Sequence, residues 1–358
     1  MVPKKLGASY LSFMSIALFF GCDNPVSEDK TLAIHTDNSI RAYGGDVYIV
    51  ERGDFSNIIK LKGTAHSIVS ANISVDYSEA NAAVYSIETG TVTEMNKDYL
   101  VRQDNIGTAT NIHDIAFVSS TKAYITQYGA SDVVIYNPST GEKYAQTIDL
   151  GSYSATGIAT PKMDAAVVYN SKVYIGLQKY DDSFGLTENS SVVYIDAAAD
   201  SVGGEIILDA KNPQGMHVSE ERLFVACTGV FGVQDGGVEV IDLTADSTRG
   251  ILVDETALGG DVSNVIVISS SRAYAVVGGS DYKNSVVPFD PGTGQVDTKV
   301  ASVGNAAIFG LAHDGTYLYV ADRDMAASGI LVIDPADNSL VSGPHSTGIP
   351  PNAIAFVE

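Results

Sequence analysis

The stretch Asn111-Ile-His-Asp-Ile-Ala-Phe-Val-Ser-Ser-Thr-Lys-Ala-Tyr-Ile-Thr126 decides how this chain folds. Two apolar runs, Asp114 to Val118 and Ala123 to Thr126, flank a short polar turn. Runs of this length, rich in β-branched and aromatic residues, read as antiparallel strands. The second run recurs along the chain, always with one central aromatic. It returns as Val-Tyr174-Ile-Gly, Leu-Phe224-Val-Ala, Ala-Tyr274-Ala-Val and Leu-Tyr319-Val-Ala, at intervals of 50, 50, 50 and 45 residues. Tyr48 in Val-Tyr-Ile-Val is a further copy.

Working outward, each copy has the same parts. An apolar run opens it and the aromatic strand follows. A loop of small and polar residues leads to a third strand ending in a turn, as in Val134-Ile-Tyr-Asn-Pro-Ser-Thr-Gly141 or Val286-Val-Pro-Phe-Asp-Pro-Gly-Thr-Gly294. A fourth strand closes the unit, as in Tyr144 to Leu150. No stretch after residue 30 sustains a helical period. Four antiparallel strands every 40–50 residues is the pattern of a β-propeller blade. A lone blade leaves an apolar face in water, and stacking blades around a ring covers it. Pro351-Asn-Ala-Ile-Ala-Phe-Val357 matches an opening strand with nothing after it, while Asp46-Val-Tyr-Ile-Val50 is a second strand lacking a clear first. Pairing these two would close the ring and remove two sheet edges. The expected fold is therefore all-β, a propeller of seven four-stranded blades with the first irregular. Six blades, with residues 53–80 as an insertion, is the alternative.

The bulk composition agrees. Hydrophobic residues make up 45 % of 358 and charged residues 18 %, which excludes a disordered chain. The 34 glycines suit a fold full of tight turns. A formal charge of −22 repels nucleic acid and anionic lipid. Two cysteines, Cys22 and Cys227, are too few for a disulfide framework, and alternation puts Cys227 on an apolar face with Leu223 and Val225.

The first thirty residues read as an address. Lys4-Lys5 precede an apolar run from Leu6 to Phe20, too short for a comfortable membrane span. Phe19-Phe20-Gly21-Cys22 then resembles a bacterial lipobox, in which the Cys becomes an acylated N-terminus. The expected organisation is a signal peptide at 1–21, an acylated Cys22 with a polar tether at 22–40, and one propeller domain at 41–358.

Two groups of residues could form a site. The loops after second strands carry Lys179, Tyr180, Phe184, Phe231 and Tyr282, and aromatics on polar loops make ligand platforms. Where first strands begin, Asp114, Asp164, Asn264 and Asn352 align, with Gly215 and Gly310 in two copies. A closed ring would gather these polar groups at the channel mouth. Asp and Asn also stabilise turns through nearby backbone N–H groups. Arg323, between Asp322 and Asp324, follows another second strand and is a further ligand-binding candidate, although two carboxylates flanking an Arg more often make an exposed ion-pair cluster. The six histidines show no metal-ligand spacing, and no nucleophile elbow, phosphate loop or Cys-x-x-Cys pair is present. No cofactor, metal or catalytic residue is expected.

The run 111–126, with Val230-Phe-Gly-Val-Gln-Asp-Gly-Gly-Val-Glu-Val-Ile-Asp242 and Leu258-Gly-Gly-Asp-Val-Ser263, resembles the bacterial lipoprotein propellers of the YVTN-repeat class. The resemblance spans roughly residues 45–357. It implies a cell-envelope propeller that binds a ligand or a partner protein, in some similar proteins as an accessory to TonB-dependent uptake of cobalamin. Two rival readings are a propeller hydrolase or lactonase with acids at the channel mouth, and a structural envelope scaffold. A propeller completes its own core, so a monomer is expected.

Overall fold

A computed structural model of the chain describes residues 31–36, 47–51, 58–61, 73–75, 83–87 and, with short interruptions, 100–357. The expected signal peptide, the expected lipidation site Cys22 and Tyr282 lie outside the described residues. The chain is all-β with almost no helix. Its strands are β1 (Thr31–Thr36), β2 (Val47–Glu51), β3 (Ile58–Leu61), β4 (Ile73–Val75), β5 (Ala83–Ile87) and β6 (Leu100–Asn105) in the N-terminal part. There follow β7 (Ile112–Ser119), β8 (Lys122–Gln127), β9 (Asp132–Asn137) and β10 (Glu142–Asp149), then β11 (Met163–Tyr169), β12 (Lys172–Leu177), β13 (Ser191–Asp196) and β14 (Ser201–Ile207). Next come β15 (Pro213–Ser219), β16 (Arg222–Cys227), β17 (Gly237–Asp242) and β18 (Ser247–Asp254), the one-turn helix α1 (Glu255–Leu258), and β19 (Asp261–Ser269), β20 (Arg272–Gly278) and β21 (Asn284–Phe289). The last are β22 (Ile308–His313), β23 (Leu318–Asp322), β24 (Gly329–Asp334), β25 (Ser339–His345) and β26 (Pro351–Val357).

These strands form five four-stranded and two three-stranded antiparallel sheets among the described residues. Four of the four-stranded sheets are simple meanders. The fifth has the order β26-β1-β2-β3, so the last strand pairs with the first. The sequence expectation set Pro351–Val357 directly against the Tyr48 segment. In the strand order β1 stands between them, and it comes from the segment read as a tether. Among the described residues the sheet of β19 to β21 has no regular fourth strand; a bridge from Phe289 to Val296 and the N–H groups of Asp297 and Val300, donating to the Pro288 and Val286 carbonyls at 2.9 Å, stand in its place. There the Asp297 carboxylate takes the Thr298 N–H at 2.7 Å, a local bond that competes with a ladder.

Burial changes across each sheet. Strands β8, β12 and β16 are buried at every position but the first, whereas β14 and β18 alternate between exposed and half-buried for most of their length. A strand buried on both faces needs a sheet on either side. The core is accordingly a series of apolar layers between successive sheets. One layer holds Tyr124, Ile135, Val173 and Ile175; the next holds Tyr174, Val192, Leu223 and Val225; a third holds Phe224, Val240, Ala275 and Val287. Cys227 is buried in the second of these, and burial pushes its thiol well up.

The repeated aromatic also ties neighbouring sheets by polar contacts. The hydroxyls of Tyr174 and Tyr274 donate to Asp246 at 2.8 Å and Asn338 at 2.7 Å, and Tyr124 donates to Asp200. Each acceptor ends a third-to-fourth-strand turn with a left-handed backbone: φ is 51° at Asp200, 47° at Asp246 and 60° at Asn338. Asp and Asn tolerate that region better than other residues with a side chain. The opening residue of the same turn caps it: Asp196 accepts from Ala198 N–H and Asp242 from Thr244 N–H. Phe224 has no hydroxyl, and Arg222 instead donates to the Pro291 carbonyl at 2.8 Å.

Tyr174→Phe should leave the fold intact and lower unfolding free energy by about 1–2 kcal/mol, since it strips a partner from a half-buried carboxylate. Urea denaturation measures this, and an unchanged midpoint would show that the clasp does not contribute.

Candidate functional site

First strands begin, and second strands end, at the same end of each sheet. At that end every described first strand from β7 onward, β26 included, carries an irregularity. Ile112 pairs with Gln127 and Asp114 with Thr126, which leaves His113 as an extra residue. Gln214 and Ser263 are extra in β15 and β19, and the register also shifts between Met163 and Ala166 and between Ile308 and Leu311. In β26, Pro351 pairs with Thr36 and Ala353 with His35, so Asn352 takes the bulge position. A β-bulge of this kind bends the strand and re-aims a side chain.

This register revises the sequence alignment. Asp114, Gly215 and Asn264 are equivalent, each paired two places after a central aromatic. Asp164 and Asn352 fall one residue earlier, on the bulge itself. Sequence spacing missed this because the β7–β8 hairpin carries a second extra residue, between Phe117 and Ser119, whereas β11 pairs with β12 without a shift from Ala166 to Tyr169. Gly215 is required by close approach: a Cβ there would lie 2.9 Å from Asn264 Cα and from the Ser263 carbonyl oxygen.

The bulges need side-chain partners for the backbone they disrupt. Asp114 accepts from Ile115 N–H at 2.7 Å and, across the gap between sheets, from Ala166 N–H at 2.8 Å. Asn264 accepts from Val265 N–H at 2.8 Å. Thr126 accepts from Asp114 N–H at 2.8 Å and its hydroxyl donates to the Asp164 carbonyl at 3.0 Å. Burial pushes the Asp114 carboxyl up to about 7, with the Asp164 charge adding to the effect.

Asp164 anchors a second, more exposed arrangement. Its Oδ1 lies 2.9 Å from His113 Nδ1, and its Oδ2 accepts from Gln178 Nε2. The Gln178 amide also reaches the Pro213 carbonyl at 3.3 Å, so the cluster spans three sheets. The His113 ring stacks on Tyr128 with centroids 4.5 Å apart, and Lys162 Nζ lies 5.5 Å from the centre of the same tyrosine ring. Burial, with Asp164 nearby, raises the Tyr128 hydroxyl. His113, Tyr128, Lys162 and Asp164 are each half-buried. Sequence reading singled out Asp164 and passed over the other three. The signal available was their shared position: His113 just inside a first strand, Tyr128 just past a second, Lys162 just before the next first strand.

The loop candidates divide. Lys179 is buried and pairs with Glu205 at 2.8 Å, which corrects its expected display on a loop. Its backbone extends the sheet edge, with N–H to the Pro161 carbonyl at 3.1 Å, and this pulls the side chain inward. Tyr180 is buried too and hydrogen-bonds Asn212. Phe184 and Phe231 stand in solvent. Arg323 is half-buried after β23. Among the described residues no group of three or more His, Cys, Asp or Glu is placed to hold a metal ion.

Asp114 gives a pH signature. Its folded value is raised, so the stability it contributes is full below about 4 and is lost as pH rises through about 7. His217 works oppositely: burial lowers it to about 4, so its contribution is full above 6.5 and is lost as pH falls towards 4. The stability advantage of the native chain over Asp114→Asn should therefore shrink between pH 4 and pH 8. Urea midpoints across that range check it, and a constant difference would place the Asp114 carboxyl at an ordinary value.

No protein-family model matches the chain, and no curated protein matches it either. Solved structures do. A protein from Bacteroides uniformis named as a candidate 6-phosphogluconolactonase has 14 % identity and a TM-score of 0.63, over 92 % of this chain and 100 % of its own. Its counterpart from Bacteroides fragilis has 13 % identity and a TM-score of 0.62, over 94 % and 100 %. AztD from Citrobacter koseri has 15 % identity and a TM-score of 0.55, over 92 % and 99 %. At such identities the likeness speaks for the fold alone, and with the five four-stranded sheets it supports a β-propeller.

Proposed function

We propose that this chain is a cell-envelope lipoprotein, anchored through Cys22, whose propeller binds a ligand or partner protein on its loop-bearing face. On this reading the seven sheets are seven blades, and β26 closes the ring by joining β1 to β3. The six-bladed alternative is disfavoured by β3 and β4, which lie inside the segment it treats as an insertion. The observation that carries the binding reading is the half-buried cluster of His113, Asp164, Tyr128 and Lys162. Cation, carboxylate, imidazole and aromatic face meet there, where first strands begin. The sheet stack holds together without them, because Asp114 and Thr126 already tie the bulge. The specific form that the sequence resemblance favours is an accessory to TonB-dependent uptake of a corrinoid-like nutrient. The charge of −22 argues against nucleic acid as a partner, and sheets covered by their own neighbours argue for a monomer.

A thermal-shift screen that includes corrinoids, with a pull-down from detergent-solubilised envelope, tests the reading. A stabilising ligand should lose at least about 10-fold in affinity with His113→Ala or Asp164→Asn, the loss of one or more charge-assisted contacts. Ligand binding indifferent to both variants would move the site elsewhere.

A second reading is hydrolysis of a lactone. It is favoured by the His113–Asp164 contact beside a carboxyl held near neutrality, a pairing suited to proton transfer. The Bacteroides neighbours are named as lactonase candidates. Turnover of a lactone panel that disappears in Asp164→Asn would support it, and no turnover by the native chain would end it.

A further inference from the structure

We propose that Phe184 and Phe231 form a docking platform for a cationic, partly apolar segment of a partner protein. The inference rests on the reading of the loop-bearing face as a recognition surface, but uses none of the His113 cluster. Phe184 is 73 % exposed and Phe231 66 %, with Val230 and Val233 exposed beside the latter. Both rings sit at the tips of tight loops that are fixed by hydrogen bonds. Asp181 N–H donates to the Gly185 carbonyl at 3.0 Å, and the Asp181 carboxylate accepts from Ser183 and Gly185 N–H. In the other loop Val233 N–H donates to Val230 at 2.9 Å, Asp235 accepts from Val230 N–H, and Asp261 accepts from Gly232 N–H.

The two loops flank one residue. Lys211 Nζ donates to the Leu186 carbonyl at 3.0 Å, and the Lys211 carbonyl accepts from Gly229 N–H at 3.0 Å. Beneath Phe184 lies Tyr180, edge-on at 6.0 Å. Phe184 itself has φ +59°, a conformation that bulky side chains adopt only when the surroundings impose it. The fold thus holds a strained backbone in order to present an aromatic ring to water. Glycine at that place would relieve the strain.

Charge selects the occupant. Residues 180–189 include Asp181, Asp182 and Glu188 with no Lys or Arg, and residues 229–236 include Asp235 with none. Of the neighbouring cations Lys179 is paired with Glu205, and Lys211, held by the Leu186 carbonyl, is outnumbered by the four carboxylates of the two loops. Aromatic faces bordered by carboxylates accept Arg and Lys heads, and the methylene stems of those side chains lie on the rings. An anionic bilayer and a second copy of this acidic chain are both repelled.

The test uses the full chain and a labelled peptide of alternating Arg and Leu, with a Glu-Leu peptide as control, followed by fluorescence anisotropy. The Arg-Leu peptide should bind and the control should not. The double variant Phe184→Gly/Phe231→Ser should bind at least about 10-fold more weakly with a melting temperature no lower than that of the native chain, because both side chains are exposed and glycine relieves the strain at 184. Asp182→Asn should weaken binding about twofold, and raising salt from about 0.05 to 0.3 M should weaken it further. Equal binding of both peptides, or full affinity in the double variant, overturns the proposal. So does phenylalanine-dependent attachment to phosphatidylcholine vesicles, or phenylalanine-dependent self-association, in place of peptide binding. Ligand shifts that depend on His113 would survive such a failure, so the two readings fall separately.

Discussion

An aromatic ring sits in the middle of β8, β12, β16, β20 and β23, packed between two sheets, and in three of them its hydroxyl reaches a left-handed turn on the next sheet. Burial of the ring explains why the strand is apolar on both faces. The hydroxyl explains why the turn that receives it ends in Asp or Asn. A strand of this kind placed at a free edge would leave two apolar faces and a row of backbone groups in water. Each sheet therefore depends on a neighbour on either side, and stability is spread through a series of layers instead of one centre. The turn carboxylates on this rim are also paired with lysines: Lys122 with Asp200 at 2.7 Å, and Lys172 with Asp246.

The bulges at the starts of the first strands follow from the same crowding. Where sheets converge, an extra residue bends each strand, and the freed N–H groups need acceptors. Asp114, Asn264 and Thr126 supply them, and Gly215 makes room for the neighbouring strand. That accounts for much of the polar character at this end of the sheets in purely structural terms. It does not account for His113, Tyr128 and Lys162. None of them supplies the bonds that satisfy the bulge, yet His113 stacks on Tyr128 and Lys162 lies over the same ring.

The repeat was legible because packing imposes it. A residue buried on both faces cannot drift in type, and so the aromatic marks reappear at nearly constant intervals. Polar positions were legible only by counting, and counting failed by one at Asp164, because the extra residue near the β7–β8 turn has no counterpart between β11 and β12 and the apolar pattern does not mark it. The Lys179 burial was hidden for another reason. A lysine in a polar stretch looks exposed unless its partner is known, and Glu205 lies two strands away. The strand Thr31–Thr36 was likewise concealed inside a short polar segment, since an inserted strand between β26 and β2 takes its order from its neighbours.

The environment of Asp114 bears on the choice between binding and catalysis. A carboxyl held near neutral pH beside a His–Asp contact has the proton affinity of a general acid or base. Its two oxygens, however, are taken by Ile115 and Ala166 N–H, one within its own strand and one on the next sheet. Moving that carboxyl towards a substrate would break the staple between two sheets, at the point where the first strand is already irregular. Its raised value is then a consequence of sealing the interface, where a charge is costly and two N–H donors only partly offset the loss of water. His113 stands on the bulge, touches Asp164 on one side and lies against an aromatic face on the other. An imidazole so placed adds a polar group at the start of the first strand without loosening the bonds that join the two sheets.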